Sequence, residues 1–305
     1  MKVSIPPENA GECDVTDLRL VADVGGTNCR FALARDGRPI SETIRSGPNR
    51  AHPTFEAAAQ DYLAAQGNPE IAEMVAAVAG PIRGRTARLT NWNWTFDAAS
   101  LAATFGARVE LLNDLSALGY AVPGLALEGQ RLVVVKEGAE GPRQQSLVMG
   151  IGTGFNVSLV VQTGAATVCP RTDIGHIGLP LGISDLLSQR MGGPVPAMRS
   201  IEDCFSGRGF AALLDRFDGG EGAFRTLYAE LMAALARDMM MAFMPTSGIY
   251  FAGSVARSVL DVAAEDFAGA YDRPLPLAGA EVAPVSVMLD DAAALLGCAR
   301  LDIAD

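Results

Sequence analysis

The chain alternates short apolar runs with longer stretches of helical period. Leu20-Val21-Ala22 leads into Asp23-Val24-Gly25-Gly26-Thr27-Asn28, a buried strand ending in an acid, a glycine pair and two small polar residues. Residues 29–34 resume as a second strand, and Asp36-Gly37 turns it into a third. A helix is predicted over 54–66, an apolar run over 74–79, a strand over 82–89, a helix over 96–105 and a strand over 108–112. A further helix after Asp114 stops at Pro123-Gly124. The second half opens with strand, glycine turn and strand over 146–161 and a third strand near 166–169. Helices are predicted over 183–189, 209–217 and 223–243, with Met232, Met239, Met240, Met241 and Met244 as a buried face. A short buried strand over 249–252 runs through Gly253-Ser254 into more helix, and a last helix over 292–301 packs back on the first half. Strands alternating with helices in two halves imply an α/β architecture with a ligand cleft between them.

The two halves are related. Val148 to Val161 can be laid without a gap over Val21 to Ala34, so that apolar strand, Gly/Thr turn and apolar strand coincide, with Gly150 in the place of Asp23. A repeat at this spacing points to a duplicated α/β unit. Each turn lacks side-chain bulk, so its backbone N–H groups can approach a phosphate, and Asp23 can stand beside a hydrated Mg²⁺. An ordinary β-hairpin reads the same way. A dinucleotide loop does not fit, because a strand rather than a helix follows Gly154. No P-loop sequence occurs.

Composition narrows the classes. The 305 residues suffice for two ordinary domains, and 49% hydrophobic with 19% charged residues is a globular balance. A formal charge of −11 with scattered arginines argues against a nucleic-acid partner. Cysteines 13, 29, 169, 204 and 298 form no C-x-x-C pair, which fits a reducing compartment. Residues 1–17 lack the pattern of a secretory signal, and Leu227 to Met244 is interrupted by Glu230, Arg237 and Asp238, too polar to span a membrane. A cytoplasmic protein is expected.

Three groups carry chemistry. Asn113-Asp114 stands where a strand stops and a helix starts. Helix capping accounts for it, as does a carboxylate at the C-terminal end of a strand that accepts a hydroxyl proton while Asn113 orients the acceptor. Thr172-Asp173-Ile174-Gly175-His176 gathers an acid, a histidine and a glycine suited to hydrogen-bonding a polyol; two dispersed ligands are too few for zinc. Glu202 reads either as a first-turn helix charge or as a third polar contact. His52, before Pro53, reads as structural.

In this order, Asp23-Val24-Gly25-Gly26-Thr27-Asn28, Leu89-Thr90-Asn91-Trp92, Asn113-Asp114, Gly152-Thr153-Gly154, the acid-x-Gly-His box and Glu202 before Ser206-Gly207 resemble a bacterial glucokinase of the sugar kinase, heat-shock ATPase and actin superfamily. The resemblance runs from about Leu18 to the C-terminus. It implies two ribonuclease-H-like α/β domains in an actin-like ATPase fold, with the active site in the interdomain cleft. The expected division is an extension over 1–17, a small domain over 18–123 plus 288–305, and a large domain over 124–287. Asp23 would be the Mg²⁺-associated acid. Gly25, Gly26, Thr27 and Asn28 would form one phosphate loop, Gly152, Thr153 and Gly154 the other, and Gly253-Ser254 would meet the adenosine of ATP. Asn91, Asn113, Asp173, His176 and Glu202 would contact the sugar, with Asp114 as general base at an ordinary carboxylate pKa of about 4. The implied activity is phosphorylation of a hexose, glucose first, by a homodimer without structural zinc. Two departures bear on it. The family's box reads Glu-Gly-Gly-His, whereas Asp173 is one methylene shorter and Ile174 removes a glycine's freedom; Ser254 replaces a glycine. Another hexose, such as fructose, mannose or an amino sugar, and a sugar-binding relative without catalysis are the alternative readings. A DNA-binding sugar sensor is disfavoured by the short segment before the first strand.

Overall fold

A computed structural model describes residues 18–125, 132–138, 144–164, 166–277, 281–290 and 292–303; the extension expected over 1–17 lies outside them. The first half contains β1 (Arg19–Val24), β2 (Asn28–Arg35), β3 (Arg38–Pro39), β4 (Arg45–Pro48), α1 (Phe55–Ala65) and β5 (Glu73–Val78). It continues with β6 (Ile82–Arg83), β7 (Thr86–Arg88), β8 (Thr95–Asp97), α2 (Ala98–Phe105), β9 (Arg108–Asn113) and α3 (Asp114–Ala121). The second half brings β10 (Leu132–Lys136), β11 (Gln145–Ile151), β12 (Phe155–Thr163) and β13 (Ala166–Val168). Helices α4 (Leu181–Arg190), α5 (Ile201–Cys204), α6 (Gly207–Arg216) and α7 (Gly220–Phe243) follow. The chain then runs through β14 (Gly248–Ala252), α8 (Ser254–Tyr271), β15 (Val285–Met288) and α9 (Ala293–Arg300).

Two sheets repeat one topology. In the first, β3-β2-β1-β5-β9 lie side by side, antiparallel through the β1/β2 hairpin and parallel from β1 through β5 to β9. In the second, β13-β12-β11-β14-β15 follow the same order and sense, with β10 added antiparallel at the edge. The architecture is α/β, as expected. The duplicated hairpins nevertheless differ by one residue. Asp23 pairs with Arg30 across β1/β2, whereas Gly150 pairs with Asn156 across β11/β12. The first turn closes from the Gly25 N–H to the Asn28 carbonyl, the second from the Gly152 N–H to the Gly154 carbonyl. The gapless overlay therefore matches β1 with β11 but sets β12 one residue out against β2. Such a slip turns every side chain to the opposite face. With one residue removed from the turn, Arg30 falls on Asn156, both polar and half-buried, between buried Cys29 and Phe31 and buried Phe155 and Val157.

Local chemistry accounts for the other differences from the sequence reading. The strand expected over 82–89 is a tight hairpin, β6 and β7, because Gly84 takes a left-handed φ of 59° and turns the chain. Phe96 belongs to β8, and Asp97 caps α2 by accepting the Ser100 N–H at 2.9 Å. The third strand of the opening meander is split into β3 and β4, both on β2. Strands β10 and β15 are additional to those read from the sequence. Within α7, Met232, Met239 and Met240 are buried as expected, but Met244 lies past the helix end, left-handed at φ 46° and exposed.

Helix α9 returns to the first sheet, where Leu295 and Cys298 pack against Val21, Ala32, Val75 and Ala77. It presses so closely on α3 that a Cβ at Gly297 would stand 1.6 Å from the Ala117 carbonyl oxygen, so only glycine fits. A further apolar cluster joins the halves behind the cleft: Leu115 and Ala121 of α3 meet Val148 of β11, Val160 of β12 and Leu296 of α9. Among the described residues no helix is long and apolar enough to cross a membrane.

Candidate active site

The parallel strands of both sheets end at one cavity of about 1140 Å³. Of the residues singled out from the sequence, Gly26, Asn91, Asn113, Asp114, Gly152, Thr153, Gly154, Asp173, His176, Glu202 and Gly253 line it. Asp23, Gly25, Thr27, Asn28 and Ser254 are chain neighbours of the lining and do not border it.

Asp114 opens α3 immediately after β9. Asn113 does act as the cap, its Oδ1 accepting the Leu115 N–H at 3.1 Å, and that same N–H also reaches the Asp114 carboxylate at 2.9 Å. Capping and cleft exposure coexist here. No cation pairs with Asp114 among the described residues. Its pKa is pushed above the usual aspartate value by burial, partly offset by hydrogen bonds from the backbone N–H groups of Leu115 and Asp114 and from Asn113. The ordinary pKa expected from sequence is thus corrected upward. A carboxylate whose surroundings disfavour its charged form is the more basic one, which suits proton acceptance.

The acids across the cleft are held differently. Asp173 lies 3.1 Å from His176 Nδ1. Glu202 receives the Arg208 guanidinium at 2.8 Å on Oε1 and the Phe155 N–H at 3.3 Å on Oε2. The loop bearing Asp173 hangs on Asn156, a residue the sequence reading passes over. Its Nδ2 donates to the Thr172 carbonyl at 2.8 Å, and its Oδ1 accepts the Ile174 N–H at 3.0 Å. Ile174 needs no glycine conformation, since its φ is not positive, and its side chain packs on the large core. The signal for Asn156 was a polar residue inside an apolar strand, visible only once the hairpin register is known.

The glycine turns are tied to their surroundings. Gly253 has φ 94°, and a Cβ there would stand 2.3 Å from the Ile151 carbonyl oxygen, so the second turn and the start of α8 can lie together only with glycine. The Gly207 N–H at the start of α6 donates to the Gly152 carbonyl at 2.7 Å. In the first half, Asn91 lies against Gly26. Asp23 stands at the end of β1 with Arg30 Nη1 at 3.4 Å, and about a quarter of its side chain (24%) is exposed. One carboxylate exposed over a quarter of its side chain fits a cation that keeps most of its waters and takes its other ligands from phosphate oxygens.

The Glucokinase family model matches residues 20–223 and 219–303. The chain belongs to the glucokinase family. It is similar to the glucokinase of Marinobacter nauticus, with 29% identity over 316 residues, covering 92% of this chain and 96% of that one. Among solved structures it is similar to a glucokinase from an Antarctic psychrotroph, with 25% identity and a TM-score of 0.76 over 93% of this chain and 98% of the other. A ROK family glucokinase from Streptomyces griseus, in complex with glucose and AMPPNP, shares the fold at 18% identity and a TM-score of 0.55, covering 92% and 98%. For this glucokinase-family chain, the actin-like ATPase fold implied by sequence therefore holds.

Proposed function

We propose that the protein transfers the γ-phosphoryl group of ATP to a hexose, glucose at O6 first, yielding glucose 6-phosphate. The observation that carries this reading is Asp114. It is a half-buried carboxylate whose pKa burial pushes up, with no cation beside it among the described residues, at the C-terminal end of β9 in a cleft that also holds the second glycine turn. Asp114 takes the proton of the attacking hydroxyl, and Asn113 orients that hydroxyl. Asn91, Asp173, His176 and Glu202 bind the remaining hydroxyls. Residues 25–28 and 152–154 offer backbone N–H groups to the phosphates, and Gly253-Ser254 lies at the adenosine. Asp23 would hold Mg²⁺, which would supply charge neutralisation of the phosphates, the main demand of a transfer whose transition state has little bonding to the moving group. Closing the cleft over the sugar excludes water and limits ATP hydrolysis.

The same reading divides the chain into 18–123 with 288–305 and 124–287, the joint lying behind the cleft where α3 and α9 meet β11 and β12, and it puts a homodimer in the cytoplasm. The test is ADP release by purified protein with Mg-ATP and a panel of hexoses. Glucose as best substrate is the expected result; absence of turnover with every hexose, alongside measurable glucose binding, overturns it in favour of a sugar-binding relative. A second reading, a kinase for another hexose, is favoured by one observation: Asp173, with its short side chain, is already engaged with His176. The hexose panel decides between the two.

A further inference from the structure

We infer that Arg208 is the positioning and specificity residue of the sugar end of the cleft: it holds Glu202 ready for the hydroxyls of a neutral hexose and turns away a cationic amino sugar. This rests on the function proposed above. Arg208 is the second residue of α6, where the N–H groups and the helix dipole favour anions and disfavour a guanidinium. The position gains nothing for the helix, whose cap is Ser206, accepting the Gly209 N–H at 3.2 Å. What offsets the cost is acidic. Glu202 Oε1 lies at 2.8 Å and Asp203 Oδ1 at 3.9 Å. Asp203 is already committed as the capping box of α5, accepting the Ser200 N–H at 3.0 Å and the Arg199 N–H at 3.3 Å. Glu202 is therefore the group that Arg208 serves.

The clamp is two-sided. The Phe155 N–H holds the second oxygen of Glu202 from the end of the second glycine turn, while the neighbouring Gly207 N–H holds the Gly152 carbonyl. The first turn of α6 thus fixes the sugar carboxylate and the phosphate turn together. Each Glu202 oxygen keeps a free lone pair for a hydroxyl. Remove Arg208 and Glu202 becomes an uncompensated anion beside Asp173, an environment that attracts an ammonium group. Arg208, with Arg171 also lining the cavity, offsets part of the charge of the lining acids Glu110, Asp114, Asp173, Glu202 and Asp302 and so weakens that attraction.

The experiment compares wild type, Arg208→Gln and Arg208→Lys with glucose and with glucosamine, at a pH where the amine is protonated. Arg208→Gln is expected to raise the glucose KM about tenfold with kcat changed less than about threefold, as for loss of a charge-assisted contact made on binding. It is also expected to narrow the preference for glucose over glucosamine by at least about threefold, and Arg208→Lys to recover part of both. Arg208 is 68% exposed, so its replacement spares the fold, which a melting curve checks. An unchanged glucose KM, or an unchanged glucose-to-glucosamine ratio, overturns the inference. If wild type turns over no hexose, the proposed function falls, and the same contrast is then read on hexose affinity by calorimetry with the same criteria.

Discussion

The two walls of the cleft handle their carboxylates in opposite ways. On the wall built from β9 and α3, Asp114 has its pKa pushed up by burial and no cation beside it among the described residues. On the wall built from β12, the box loop and α5, Asp173 faces His176 and Glu202 faces Arg208. Burial without a partner raises basicity at the cost of stability, whereas a hydrogen-bonded partner holds a carboxylate in place. In the proposed function, a base and a pair of hydroxyl holders need those two different treatments. The difference teaches that one cleft can assign roles to like residues through their surroundings alone.

The largest effect expected from breaking this contrast is at Asp114. Asp114→Asn should lower hexose turnover on the order of 10²–10⁴-fold, and the acid limb of kcat/KM in the wild type should lie above the ordinary aspartate pKa of about 4. Stability should move the other way. The folded-state pKa is raised, so the ionised side chain opposes folding; the penalty is absent below the unfolded pKa and grows as pH rises through the folded one. At pH 8 the Asn variant should melt higher than wild type, and the gap should close on acidification. An Asn variant that melts lower at every pH would refute the desolvated assignment.

Across the cleft, Glu202→Gln should raise the hexose KM about tenfold and leave kcat within a few fold, since it weakens a binding contact; a matching loss in kcat would move Glu202 into the chemistry. Asn156→Ala comes next. Removing both of its bonds to the box loop should lower thermal stability and raise the hexose KM severalfold, whereas unchanged kinetics would detach that loop from the sugar. The smallest effect is at Ile174. Ile174→Gly gives up a packed side chain and adds backbone freedom, costing about 1–2 kcal/mol in denaturant melts without improving hexose affinity. Improved affinity would show that the loop does need the glycine.

Much of this arrangement was legible along the chain. Long apolar strands such as β1 and β11, and the turns at Gly25-Gly26 and Gly152 to Gly154, declare themselves by composition, and the duplicated order let the cleft be placed before any contact was known. Register was not legible. Whether Asn156 or Val157 answers to Arg30 depends on a one-residue difference in turn length, which the apolar pattern tolerates because both strands are buried on two faces. The pKa of Asp114 was hidden for a related reason: neighbours in sequence predicted a cap, but burial by distant strands sets the proton affinity. Arg208 carried a faint signal, an arginine at the first turn of a helix, whose meaning depended on where Glu202 would fall.

One contact bears on how the protein is made. Arg19, at the start of β1, donates from Nη1 to the carbonyls of Cys298, Ala299 and Leu301 at 3.0, 2.8 and 2.7 Å, and its Nε holds Glu73 at 2.7 Å. Strand β1 is thus completed by carbonyls at the end of α9, 279 to 282 residues further along the chain. Until α9 emerges, the sheet face of Val21, Ala32, Val75 and Ala77 lacks the share of its cover that Leu295 and Cys298 supply, and Arg19 lacks those carbonyls. Because residues 293–301 follow the second half in sequence, the sheet of the first half acquires this part of its cover only after the second half has been translated.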